Sequence, residues 1–106
     1  MNTDDIGKKD YEPWHPMTNP VDLKTTGKLI EELGECISAT ARCQIQGIDE
    51  VEPVTKYPNR LWLEDEIADV MLHIEITIER FGLDRNKIKH RMDKKRPLIL
   101  SWHKDA

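Results

Sequence analysis

Apolar and small residues recur at three- and four-residue intervals through Leu23, Thr26, Leu29, Ile30, Leu33, Cys36, Ile37, Thr40 and Cys43, the spacing of one face of an α-helix. Asn19 is placed to cap this helix, Pro20 suits its first position, Asp22 sits near the positive end of its dipole, and Gly47 is its stop. A second helix is predicted from about Arg60 to Phe81, ended by Gly82. Asp84 is placed to cap a third, from about Arg85 to Arg96, which Pro97 terminates. Residues 47–59, GIDEVEPVTKYPN, contain two prolines and no hydrophobic period, and are expected to loop over a site or a partner subunit. Residues 1–18, with Pro13 and Pro16 in the patch YEPWHPM, read as an arm before a helical domain at 19–106. Leu98, Ile99, Leu100 and Trp102 crowd the tail, which is expected to dock on a surface. No strand-like alternation interrupts the pattern, so the predicted fold is all-α.

The polar positions carry the chemistry. On a wheel centred on Ile67, the residues Leu63, Val70, Met71, Ile74, Ile78 and Phe81 fall within about 60°, which predicts the core stripe. Glu66, Asp69, His73, Thr77 and Arg80 gather at about −80° to −160°, while Ala68, Leu72 and Ile76 form a second apolar strip beyond about 100°. With Leu33 as origin, Glu32 and Glu35 of the first helix occupy the same sector, near about −100° and −160°. Two helices packed through their stripes would aim all four carboxylates into one groove. Such a cluster repels itself unless a positive charge neutralises it, and oxygen-only ligands without histidine or thiolate select Mg²⁺ or Mn²⁺. The plain alternative is a solvated acidic surface, with Lys28 and Glu32 as an ordinary i,i+4 ion pair.

Composition narrows the classes of function. The chain has 106 residues and a formal charge of −4, so it is one domain with a modest core and no overall basic field for a nucleic-acid polymer. It has no membrane-spanning apolar run and no signal-peptide core, which predicts a cytoplasmic protein. Cys36 and Cys43 lie about 10 Å apart on a helix, too far for a disulfide, and read as small core residues.

KLIEELGE, then EDEIADVMLH, then FGLD resemble the MazG-type all-α nucleoside triphosphate pyrophosphohydrolases, over about Leu23 to Arg96. The resemblance implies a helical homodimer or homotetramer that uses Mg²⁺ or Mn²⁺ to split a nucleoside triphosphate into monophosphate and pyrophosphate. Carried over by position, it implies Glu32, Glu35, Glu66 and Asp69 as metal ligands, with Glu31 as an additional ligand or water-orienting base. Short chains of this kind are often phage-borne, which would put the protein in the host cytoplasm, and some relatives act on purine deoxynucleotides, dGTP especially. Thirty residues separate Glu35 from Glu66, long for this family, so the intervening loop is extra or reshaped.

Arg91, Lys94, Lys95 and Arg96 are candidates for gripping phosphates, with Lys28 beside the acids. Trp14, His15 or Trp62 can stack on a base, and His73, one turn after Asp69, can touch sugar or phosphate. ADVMLH also resembles phosphoribosyl-ATP pyrophosphatase, and a non-catalytic helical module binding a basic partner is the alternative from another class.

Overall fold

A computed structural model describes residues 13–104, and everything structural below refers to them. The chain is all-α: α1 spans Pro20–Gln46, α2 Asn59–Phe81 and α3 Arg85–Lys104. The local signals act as their chemistry predicts. Asn19 Oδ1 accepts from the Val21 and Asp22 amides at 2.8 and 3.2 Å, and Pro20 opens α1. Gly47, with φ 110°, closes it, and a Cβ there would meet the Glu50 side chain at 2.9 Å. Gly82 ends α2 in the left-handed region at φ 59°, where the Leu83 amide returns to the Ile78 carbonyl. Asp84 Oδ1 caps α3 through the Asn86 and Lys87 amides.

α1 and α2 form an antiparallel hairpin fastened at both ends. At one, Arg80 Nε donates to Asp22 Oδ1 at 2.6 Å, and its Nη2 donates to the Asn19 cap. At the other, Asn59 Nδ2 donates to Gln46 Oε1 and to the Gly47 carbonyl, and the Asn59 amide donates to the Glu50 carbonyl. The connecting segment is a small closed turn rather than a loose lid. Val51 and Pro58 form an isolated antiparallel bridge, and the Glu52 carboxylate accepts from the Val54 and Thr55 amides at 3.0 and 2.6 Å.

Two expectations are corrected. The first concerns the stripes around Leu33 and Ile67, which enter the seam by one edge only: Leu63, Val70 and Ile78 of the α2 stripe are half-buried or buried, whereas Ile30 is 71% exposed and Met71 64%, and Leu33, Ile37, Ile67 and Ile74 are exposed too. The least exposed positions are Leu29, Glu32, Cys36, Ala39 and Cys43 on α1 and Leu63, Glu66, Val70, Thr77 and Ile78 on α2, faces turned toward the acids by about 80° from Leu33 on α1 and by about 50° from Ile67 on α2. Cys36, Ala39 and Cys43 are small and let the helices approach, whereas the bulkier stripe is left for another surface. Both cysteines are free and half-buried, as small packing residues should be.

The second correction is at Pro97, which lies inside α3 instead of ending it, so the tail is helical to Lys104. Proline costs one helical hydrogen bond, to the carbonyl of Asp93, and Asp93 is exposed where water can replace that bond. Leu98, Leu100 and Trp102 are exposed and dock on nothing within the chain. α3 shares no packed face with the hairpin; an Arg85–Glu75 ion pair at 2.6 Å is what joins them. The radius of gyration is 19.8 Å, against about 13 Å for a compact chain of this length.

Candidate metal centre

The turned seam puts the carboxylates between the helices. Glu31, Glu32 and Glu35 on α1 present oxygens within 4.8 Å of one another, and so do Glu32, Glu66 and Asp69 across the seam. Glu32 belongs to both triads and is buried at 8% exposure, Glu66 is half-buried, and Glu31, Glu35 and Asp69 line the open side. One oxygen of Glu32 and one of Glu66 are buried without a hydrogen-bond partner. Burial first, then the charges of Glu35 and Asp69, push the Glu32 carboxyl above the ordinary carboxylate range, with His73 pulling the other way. Burial likewise raises Glu66, again with Glu35 and Asp69 adding to it, while the Trp62 hydrogen bond opposes it.

This arrangement passes a chemical test for a hard divalent cation. The donors are all carboxylate oxygens, they converge, and two are buried with nothing to bind. Glu32, Glu66 and Asp69 could hold such an ion across the seam, and Glu31, Glu32 and Glu35 on α1 form the second such group.

The surrounding groups are less evenly placed. His73 Nδ1 is 2.8 Å from the Asp69 carbonyl oxygen, which can only accept, so Nδ1–H donates there and Nε2 is the ring atom that can meet a ligand. Lys28 pairs with Glu31 at 3.1 Å, not with Glu32 one turn on, because Glu32 turns into the seam. Trp62 donates from Nε1 to Glu66 Oε1 at 3.3 Å, and one face of its ring is covered by the Arg42 guanidinium, 4.0 Å from the centroid. Trp62 thus contacts Glu66 through its ring N–H and Arg42 through one ring face. Trp14 is 92% exposed and His15 is exposed, both in the extended segment before α1, whereas the arm's first twelve residues lie outside the described range. Arg91, Lys94, Lys95 and Arg96 lie along α3, and no hydrogen bond or ion pair ties them to the carboxylates of the same chain.

Arg42, Tyr57 and Asn59 escaped the sequence reading. Tyr57 packs its ring edge-on to Trp62 at 6.3 Å and donates its hydroxyl to Asp65 at 2.7 Å, and Arg42 lies over Trp62 while its charge helps to hold the Glu52 carboxyl low. The loop between the helices thereby supports the Trp62–Glu66 contact. Periodicity carries no signal for this, since each residue is a polar or aromatic interruption whose partner is distant in sequence. Comparison with family models, with curated proteins and with solved structures returned no match to this chain.

Proposed function

We propose that the chain is a nucleotide pyrophosphohydrolase, cleaving nucleoside triphosphates to monophosphate and pyrophosphate with Mg²⁺ or Mn²⁺ held by Glu32, Glu35, Glu66 and Asp69. The observation that supports this reading is the pair of carboxylate triads sharing buried Glu32, with two buried oxygens left unpartnered. Leaving such oxygens beside further acids is costly, and a hard cation offsets that cost. When bound, the cation supplies positive charge against the triphosphate and acidifies a water near neutral pH. The protein's own groups orient the reaction. Trp62 hydrogen-bonds one Glu66 oxygen, Glu31, exposed and paired with Lys28, would accept a proton from water, and His73 Nε2 is available to a phosphate or sugar oxygen. No serine or cysteine nucleophile is needed. The enzyme is homo-oligomeric in this reading, because the exposed stripes of Ile30, Leu33, Ile67 and Met71 and the extended shape leave the core for a second chain to complete.

The test is pyrophosphate release from the ribo- and deoxynucleoside triphosphates and phosphoribosyl-ATP, with Mg²⁺, with Mn²⁺ and with EDTA; purine deoxynucleotides, dGTP first, head the panel. Metal-dependent release that Glu66→Ala and Asp69→Ala abolish while circular dichroism is unchanged is expected. Turnover of phosphoribosyl-ATP alone would move the chain to that activity. No release together with no saturable Mn²⁺ binding would end the metal reading and leave a non-catalytic acidic surface.

A further inference from the structure

The chain is divided sharply by charge. Residues 20–81, the α1–α2 hairpin, carry thirteen Asp and Glu against six Lys and Arg, a net −7; residues 85–104, which are α3, carry eight Lys and Arg against one Asp, a net +7. Opposite charges of that size attract over a Debye length of about 10 Å at 0.1 M salt. Yet α3 projects from its own hairpin, held by the Arg85–Glu75 pair, and packs against neither helix. The three residues between α2 and α3 include the capped pair Gly82 and Asp84, which set the direction in which α3 leaves.

The two surfaces also match in pattern. On α3, Ile88, Met92 and Ile99 fall within about 40° of one another on a helical wheel, with half-buried Lys95 beside them, Arg91 and Lys94 on one side and Lys89 and Arg96 on the other. On α2 the side facing away from α1 has exposed Leu72 and Ile76 rimmed by exposed Glu64, Asp65, Glu75 and Glu79. The stripe around Leu33 and Ile67 is also exposed and apolar, but α1 adds no acid to it and α2 borders it with Glu64 and Glu75 on one edge alone, whereas Asp65 and Glu79 lie among Leu72 and Ile76. We infer that α3 of one copy docks along the acid-rimmed outer face of α2 of a second copy, and reciprocally, closing a two-fold dimer in which each chain's basic helix covers the other's acidic hairpin. Isologous exchange satisfies the charge of both copies at once, and it leaves the Leu33 and Ile67 stripes open for a further contact between chains. It brings the partner's positive charge toward carboxylates that the chain's own Arg91, Lys94 and Lys95 do not contact. The consequence for catalysis rests on the proposed function; the docking itself does not.

Zero-length carbodiimide coupling of the full-length protein tests the arrangement, using a mixture of ¹⁴N- and ¹⁵N-labelled chains so that links between copies are recognised by mixed isotopes. Mixed-isotope links from Lys87, Lys89, Lys94 or Lys95 to Glu64, Asp65, Glu75 or Glu79 are expected, from a species of dimer mass or a multiple of it by light scattering. Glu64→Lys with Glu79→Lys, two exposed positions outside the hydrogen bonds and ion pairs of the hairpin, should weaken association by about tenfold or more with unchanged circular dichroism. A monomeric mass, same-isotope links alone, or an unaffected dissociation constant in that variant would overturn the docking; a monomer whose α3 lysines are protected by co-purified nucleic acid would reassign the basic face. None of these readouts involves metal or nucleotide, so loss of this inference and loss of the hydrolase reading are separate results.

Discussion

Asn59 joins the end of α1 to the start of α2, and replacing it separates hydrogen bonding from helix electrostatics. Its side chain is 1% exposed, with Nδ2 donating to the Gly47 carbonyl at 3.0 Å and to Gln46 Oε1 at 3.1 Å, while Oδ1 has no partner. Asn59→Ala removes both bonds, each worth about 0.5–1.5 kcal/mol net, the Gln46 one at the low end because that side chain is exposed and water replaces it. Truncation also removes an unsatisfied buried acceptor, which offsets about 1 kcal/mol, so the expected cost is no more than about 1 kcal/mol. Asn59→Asp keeps the shape but turns a carboxylate oxygen toward two acceptors, an uncompensated buried charge costing about 3–5 kcal/mol. An acid in the first turn of α2 gains at most about 1 kcal/mol from the helix dipole, too little to reverse the order. Thermal melts at fixed protomer concentration should therefore rank parent above Asn59→Ala above Asn59→Asp, with about 4–8 °C lost per kcal/mol, and the Asp variant should recover partly in acid as its carboxyl regains a proton to donate. If Asn59→Asp melts at or above Asn59→Ala at neutral pH, the assignment of the donors at this junction is wrong.

Other consequences concern the carboxylates and the glycines. Glu32 and Glu66 are raised above 4.5 in the folded chain, so their contribution to stability is fully present below that value and is lost as pH rises through their raised values. In EDTA the parent should lose stability upward through that window and Glu32→Gln should lose less; an equal slope in both would remove Glu32 from the cause. Glu52 and Glu75 are lowered and lose their contribution only below 4.5, outside that window. Apparent Mn²⁺ affinity, read by electron paramagnetic resonance, should rise with pH by up to about tenfold per unit for each proton displaced. Trp62→Phe keeps a ring against Arg42 but removes the N–H to Glu66, and should weaken Mn²⁺ binding about five- to tenfold; unchanged binding would mean Glu66 needs no such orientation. Gly82→Ala should cost about 1 kcal/mol through its left-handed backbone alone, since no atom lies within 4 Å of the added carbon, whereas Gly27→Ala, in open space within α1, should gain about 0.5–1 kcal/mol; chemical denaturation distinguishes the two signs.

The caps and stops were readable because each is a bargain struck within a few residues: Asn19 with two amides, Gly47 and Gly82 at positive φ, Asp84 with two more amides. The grouping of acids was readable for a related reason, since Glu32 and Glu35 stand at the same offset from their stripe as Glu66 and Asp69 do from theirs. What could not be read was the direction in which each helix turns. A wheel ranks faces by hydrophobicity, but the seam formed where Cys36, Ala39 and Cys43 allow close approach, and that depends on what else competes for the larger apolar face. The same turn accounts for two features with no evident common cause. Turning α1 by about 80° and α2 by about 50° carries Glu32 and Glu66 from a groove edge into the seam, where oxygens are stranded without partners, and it simultaneously exposes Ile30, Leu33, Ile67 and Met71. Buried acids and uncovered apolar stripes are thus one structural event. A chain that accepts both costs alone is poorly balanced, and each cost is of the kind that an added component relieves: a cation for the oxygens, a second chain for the stripes.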